Sequence, residues 1–286
     1  MKNIVFIIIN FLFLSFSAQN VEKIPLRKYK IATLSDSLRE TSGLTFLKNK
    51  LYTFNDGGNS NEIFEIDKNS GKILHKIQTN FPNKDWEAIT NDGENLYIGD
   101  FGNNAGNRRD LTIFKIENPT KSSKIQFKYQ DQKDFKTNYL NHDFDCEAMI
   151  FLDGKIHIFT KEWQSKEVSH YIINPEITEN QTVTKLENFK TGFVVTDVSY
   201  FDGKLYVVGY TKKAKVFMMI FDKDDNGNFF TKTPKKYKLG SALTIGQVEG
   251  IAVNKDGIYI SNEDFSKFIF HSKQSLYFIP FGKFSH

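Results

Sequence analysis

The chain has 286 residues, 40% of them hydrophobic and 25% charged, an ordinary composition for a soluble globular protein; in a β-rich chain that length fits one domain. The formal net charge of +4 is small, and no stripe of Lys and Arg forms a basic face, which argues against a nucleic-acid polymer as partner. The run Lys212-Lys213-Ala214-Lys215 reads as a solvated turn, and 6 Pro are too few for a proline-rich linker.

Residues 1–18 read as a Sec signal peptide. Lys2 supplies the positive start, Ile4 to Phe16 the short apolar stretch, and Ser15-Phe16-Ser17-Ala18 the small residues for cleavage before Gln19. The apolar stretch is too short to be a comfortable membrane span. The expected product is a domain over 19–286, periplasmic or secreted and monomeric. The single cysteine, Cys146, lies inside a strand-like run and away from the cleavage site, so neither a lipoprotein anchor nor an intramolecular disulfide is expected.

From Ser42 onward, short β-patterned runs alternate with turn residues; the 28 Phe and 12 Tyr of the chain suit such strands. The first unit offers Leu44 to Phe46, Leu51 to Phe54, Ile63 to Ile66 and Ile73 to Ile77. The second offers Glu87 to Thr90, Leu96 to Ile98, Leu111 to Ile116 and Ile125 to Tyr129. The third follows with Met149 to Leu152, Ile156 to Phe159, Tyr171 to Ile173 and Val183 to Phe189. The fourth has Val198 to Phe201, Leu205 to Val208, Val216 to Phe221 and Lys236 to Leu239. Asp-Gly pairs at Asp92, Asp153, Asp202 and Asp256 tolerate the positive φ of tight hairpins. The fifth unit is one strand short, with Ile251 to Val253, Ile258 to Ser261 and Leu276 to Ile279. Lys28-Tyr29-Lys30-Ile31 could supply its outer strand and remove two open edges.

Each unit opens on one phrase: a polar residue, a small residue, then an aliphatic in most copies. It recurs at Ser42-Gly43-Leu44, Glu87-Ala88-Ile89, Glu147-Ala148-Met149, Asp197-Val198-Ser199 and Glu249-Gly250-Ile251, at intervals of 45, 60, 50 and 52 residues. That period suits one four-stranded propeller blade. The expected fold is therefore all-β, a five-bladed propeller of four-stranded antiparallel blades with the last blade closed by the N-terminal strand. One oxygen-bearing side chain per blade, from Ser42, Glu87, Glu147, Asp197 and Glu249, would then surround the axis. Four carboxylates packed together repel one another, and a bound cation is the economical remedy. Calcium, with six to eight oxygen ligands, suits such a ring, whereas a lone Cys and unpaired His do not suggest zinc.

With these phrases the chain resembles the SdiA-regulated family of bacterial five-bladed propellers, whose inner strands start Ser-Gly-Leu, Glu-Gly, Glu-Gly, Ser-Gly and Glu-Gly. The ring order also resembles the calcium-coordinating ring of calcium-activated nucleotidases, the apyrases. The resemblance implies a five-bladed fold and an axial calcium. Asp197 departs from it, standing where both families have Ser, and Ala follows Glu87 and Glu147 where the family has Gly.

Loops after the second strand of each unit should share the ring's face. They contain Asp56, Asp100, Asn103, Glu162, Trp163 and Glu263, with Arg108 and Arg109 nearby. Asp100, Asn103, Arg108, Arg109, Trp163 and Glu263 are the candidate ligand-binding residues for a polar molecule, phosphorylated or carbohydrate. Asp85 and Asp145, two residues before Glu87 and Glu147, could support the ring. The expected function is an exported calcium-binding propeller that recognises a polar ligand, its axial metal mainly structural. The alternative is a calcium-dependent phosphoester or nucleotide hydrolase in which Asp56, Asp100 or Glu162 orients water. A carbohydrate-active propeller using paired carboxylates ranks third. Asp222 to Gly227 imitates half an EF-hand loop, but Thr233 at its twelfth position offers no carboxylate, so it reads as a hairpin turn.

Overall fold

The computed structural model describes residues 21–118, 121–267 and 269–284; the signal-peptide stretch lies outside them. Five antiparallel sheets make five blades, numbered here in chain order. Blade 1 runs Thr41–Leu47, Lys50–Asn55, Glu62–Ile66 and Ile73–Gln78. Blade 2 is Trp86–Asn91, Leu96–Asp100, Thr112–Asn118 and Lys121–Tyr129. Blade 3 is Cys146–Leu152, Lys155–Thr160, Val168–Ile173 and Lys185–Phe189. Blade 4 is Val194–Phe201, Lys204–Tyr210, Lys215–Asp222 and Lys235–Ser241. Blade 5 is Val248–Asn254, Gly257–Asn262 and Ser275–Pro280, with Lys30–Thr33 antiparallel to the last of these. The first strand of each blade touches the first strand of the next, and blade 5 touches blade 1, so the ring is continuous at its centre.

Two edge strands were not expected. Val21–Lys23 lies parallel to Lys236 to Lys238 on the outside of blade 4, so the N-terminal segment spans blades 4 and 5. The run expected as one strand over Val183 to Phe189 divides: Gln181–Val183 adds in parallel to blade 2, and Lys185–Phe189 completes blade 3. Both additions cover a sheet edge.

Because each sheet packs face to face on the next, the apolar residues form five cores between neighbouring blades. Between blades 1 and 2, Trp86 is fully buried against Phe54 and Phe81, and Phe81 stacks on Phe114 with centroids 3.8 Å apart. Near the axis there is little room. A Cβ on Gly250 would lie 2.3 Å from Ser261 Oγ and 2.9 Å from Leu44 Cγ, which explains the small residue in the repeated phrase.

The phrase also marks a β-bulge in every inner strand. The register slips between Trp86 and Ala88, Cys146 and Ala148, Val195 and Asp197, Val248 and Gly250, and between Ser42 and Thr45. Glu87, Glu147 and Glu249 are the extra residues, left out of the ladder. A bulge re-aims its side chain, here toward the axis.

Candidate functional site: an acidic bowl on the axis

A cavity of about 560 Å³ opens where the inner strands begin. Glu87, Glu147 and Glu249 line it from the bulges, Ser42 from the start of the inner strand of blade 1, and Asp56, Lys161, Trp163, Tyr210, Lys212 and Glu263 from the ends of second strands or the loops after them. These segments thus share one face of the ring, as the strand order requires.

In blade 4 the bulged residue is Thr196, not Asp197. Thr196 Oγ1 donates to the carbonyl of Val248 at 2.6 Å, and Ser42 Oγ donates to the carbonyl of Glu87 at 3.4 Å. The two hydroxyl positions therefore tie each inner strand to the next. Asp197 stands one residue later, at the small-residue position. It is 1% exposed; Oδ2 accepts the N–H of Ile251 at 2.7 Å and of Leu44 at 3.3 Å, and Oδ1 accepts that of Val198 at 2.8 Å. Its carboxylate joins blades 4, 5 and 1 through backbone and does not line the bowl. Thr196 thus places a hydroxyl at the bulge of blade 4.

Lys161 is the cation inside the bowl. Its Nζ lies 3.0 Å from Glu147 Oε2, over the rings of Trp163 at 5.7 Å and Tyr210 at 6.0 Å. Burial works against its charge, but Glu147, Tyr210, Glu249 and Glu87 outweigh burial and hold its pKa well above the ordinary lysine value. The carboxyls also shift upward, but because burial, and after it mutual repulsion, disfavours their charged forms. Asp85 rises to about 6, Glu249 to about 7 and Glu263 to about 9. Glu87 and Glu147 are pushed well above the carboxylate range. Gln247 bridges Glu249 and Glu263 with its amide. Asp145 Oδ2 and Glu147 Oε1 are buried and have no hydrogen-bond partner.

The other candidates are engaged elsewhere. Arg108 is clamped by Asp100 at 3.0 Å, by Asp110 at 3.1 Å and by the carbonyls of Gly102 and Asp100. Asp100 also accepts the N–H of Asp85. Asn103 ties blade 2 to blade 3, its N–H donating to Asp145 Oδ1 at 2.6 Å and its amide to the carbonyl of Phe144. Arg109 lies over Phe135, outside the bowl. Glu162 is 3% exposed and accepts the hydroxyls of Thr160, Ser165 and Ser169. Of the three carboxylates considered for orienting water, only Asp56 reaches the cavity. No motif in the sequence singles out Lys161, Tyr210 or Gln247. Lys161 was legible only as one member of an ordinary polar loop.

Among the described residues, no helix is long and apolar enough to cross a membrane. No curated protein matches the chain. A solved structure similar to it is that of an oxidoreductase (glucose dehydrogenase) from Thermus thermophilus, at 10% identity and a TM-score of 0.47, covering 87% of this chain and 98% of the other. The family model described as SdiA-regulated matches residues 21–270, and with five blades opening on the repeated phrase, the chain belongs to the SdiA-regulated family.

Proposed function

We propose that this protein is an exported binding propeller whose axial bowl takes calcium together with a small polar ligand. The observation that carries the reading is the charge imbalance of the bowl. Asp56, Glu87, Glu147, Glu249 and Glu263 line one cavity, with Asp85 and Asp145 beside it; of the three lysines that line it, Lys161 is buried, whereas Lys212 and Lys267 are exposed. Carboxylates brought together in this way need protons or a cation, and calcium accepts an irregular set of oxygens. Bound calcium would neutralise the bowl and offer open positions to ligand oxygens. Trp163 and Tyr210 supply flat apolar surface for the rest of such a ligand, with Lys212 at the rim.

Hydrolysis is the second reading, and one residue favours it: Asp56, whose pKa is raised by burial while it faces the cavity. Binding ranks first because Arg108 and Arg109 are held outside the bowl, which leaves only the exposed Lys212, of the three cations suited to phosphate charge, lining it. Calorimetric titration of calcium into chelator-stripped protein tests the proposal. Saturable binding at one site is expected, in the micromolar to millimolar range of non-cytosolic calcium modules. Heat no larger than dilution, with no change in melting temperature, would remove calcium from the account.

A further inference from the structure

We propose that the cation sits off the propeller axis, between blades 1 and 2, held by Asp56, Asp85 and Glu87, while Lys161 occupies the axial place. This inference rests on the reading of the bowl as a calcium site and specifies where in the bowl the metal is bound.

Three observations support it. First, one carboxylate oxygen from each of Asp56, Asp85 and Glu87 lies within 4.8 Å of the others. They come from two stretches of chain, Asp56 from the loop after Asn55 in blade 1 and Asp85 and Glu87 from the start of the inner strand of blade 2. Second, glycines flank this group on two sides. A Cβ on Gly102 would stand 2.4 Å from Glu87 Oε1 and 2.6 Å from Asp85 Cγ, and one on Gly57 would stand 2.5 Å from Asp85 Oδ1. Any side chain there would press on the carboxylates. Third, Glu147 faces the same cavity while only 2% exposed, and its Oε1 has no partner. Its charge acts on Glu87, and that of Asp56 acts on both. A cation at the trio would ease the repulsion that Glu147 and Asp56 exert on Glu87.

A place beside Glu147 and Glu249 is poorer for a metal. Lys161 Nζ lies 3.0 Å from Glu147, and its charge acts more on Glu147 and Glu249 than on Glu87, so the ammonium and a divalent cation would repel most there. The Asp56, Asp85 and Glu87 carboxylates have weaker claims on them. Asp85 has Arg108 Nη1 at 3.8 Å, Asp56 accepts the N–H of Gly57, and the Glu87 carboxylate takes no hydrogen bond among the described residues. Three carboxylates would supply half of a calcium shell, and water or ligand oxygens from the bowl the remainder.

Calcium calorimetry on the mature chain and four variants tests the placement. Asp85→Asn and Asp56→Asn are each expected to weaken calcium at least about tenfold. Gly102→Ala should do the same through steric pressure. Glu249→Gln, which removes a bowl carboxylate outside the trio, should weaken calcium less than Asp85→Asn does. A melt of each variant without calcium shows that it folds; Asp85, with a side chain 31% exposed, is the change the fold should tolerate best. Unchanged affinity in Asp85→Asn with a large loss in Glu249→Gln would put the metal on the axis and overturn the inference. Absence of binding in the unmutated protein would instead overturn the calcium reading itself, and the placement with it.

Discussion

Lys161 shows how much one residue can alter the chemistry of a ring. A carboxylate cluster without an internal cation would have to bind metal or remain largely protonated; with Lys161 present, part of the charge is met by the chain itself. Breaking a buried pair from one side costs about 3–5 kcal/mol because the partner is left uncompensated. Lys161→Met should therefore lower the unfolding free energy of the calcium-free protein by about 3 kcal/mol. Adding Glu147→Gln to it should recover part of that loss, and urea unfolding of the two variants is the check. If the double variant were less stable than the single one by the full additive amount, the two side chains would not be acting on each other. At this scale the sequence was only partly informative. Glu87, Glu147 and Glu249 were legible because a bulge must carry a residue that can face the axis. Asp197 and Thr196 differ by one position, and only the register with Gly209 and Val208 distinguishes them. Arg108 and Asp100 look like binding residues in sequence because a clamp and a ligand site use the same residue types.

At the level of elements, four strands per blade were legible from the alternation and the Asp-Gly turns, and most observed strands overlap the expected runs. The break at Thr184 was not, because Val183 and Lys185 continue the same β pattern; a strand's choice of neighbour is a tertiary decision. Blade 3 also holds a buried polar relay that no motif announces. His157 Nδ1 and His170 Nε2 are 2.8 Å apart, and His170 Nδ1 is 2.9 Å from Glu187 Oε1. Glu187 in turn accepts the N–H groups of Phe229 and Phe230 from blade 4's outer loop, so the relay joins two blades. Burial first, and His170 second, lower the His157 pKa from its ordinary value to about 4. A histidine whose folded pKa is depressed binds its proton more readily when unfolded. Its contribution is thus intact above about pH 6.5 and declines as pH falls toward about 4. The conversion of 1.36 kcal/mol per unit gives a loss of about 3 kcal/mol across that window. Chemical denaturation between pH 7 and pH 4 should show it, and His157→Gln should flatten that part of the profile. An identical acid slope in the variant would assign the loss to other groups.

Across the whole molecule, a propeller is a ring, and its stability depends on whether the ring opens as a unit or blade by blade. The N-terminal segment bears on this directly. Val21–Lys23 pairs with blade 4 and Lys30–Thr33 with blade 5, while between them Leu26 is fully buried in the core that these two blades share. Leu34 and Leu38 then enter the core between blades 5 and 1. The segment that comes first in the chain is thus packed against the elements made last, so its contacts have the longest sequence separation in the molecule and cannot form until blade 5 exists. Leu26→Ala should cost about 2–5 kcal/mol as a core truncation. The informative quantity is where that cost appears. Of the two tryptophans, Trp86 reports from elsewhere, the core between blades 1 and 2, whereas Trp163, at the bowl, packs against the core that holds Leu26; Trp163→Phe as a background leaves Trp86 as the remote probe. If the five cores open together, fluorescence and far-UV circular dichroism of Leu26→Ala will shift to lower urea by the same amount and remain superimposable. If blades 4 and 5 open first, the dichroism transition will move and broaden while the Trp86 signal stays near its original midpoint. Coincident shifts would mean that the N-terminal segment holds the entire ring, bowl included, as one cooperative structure.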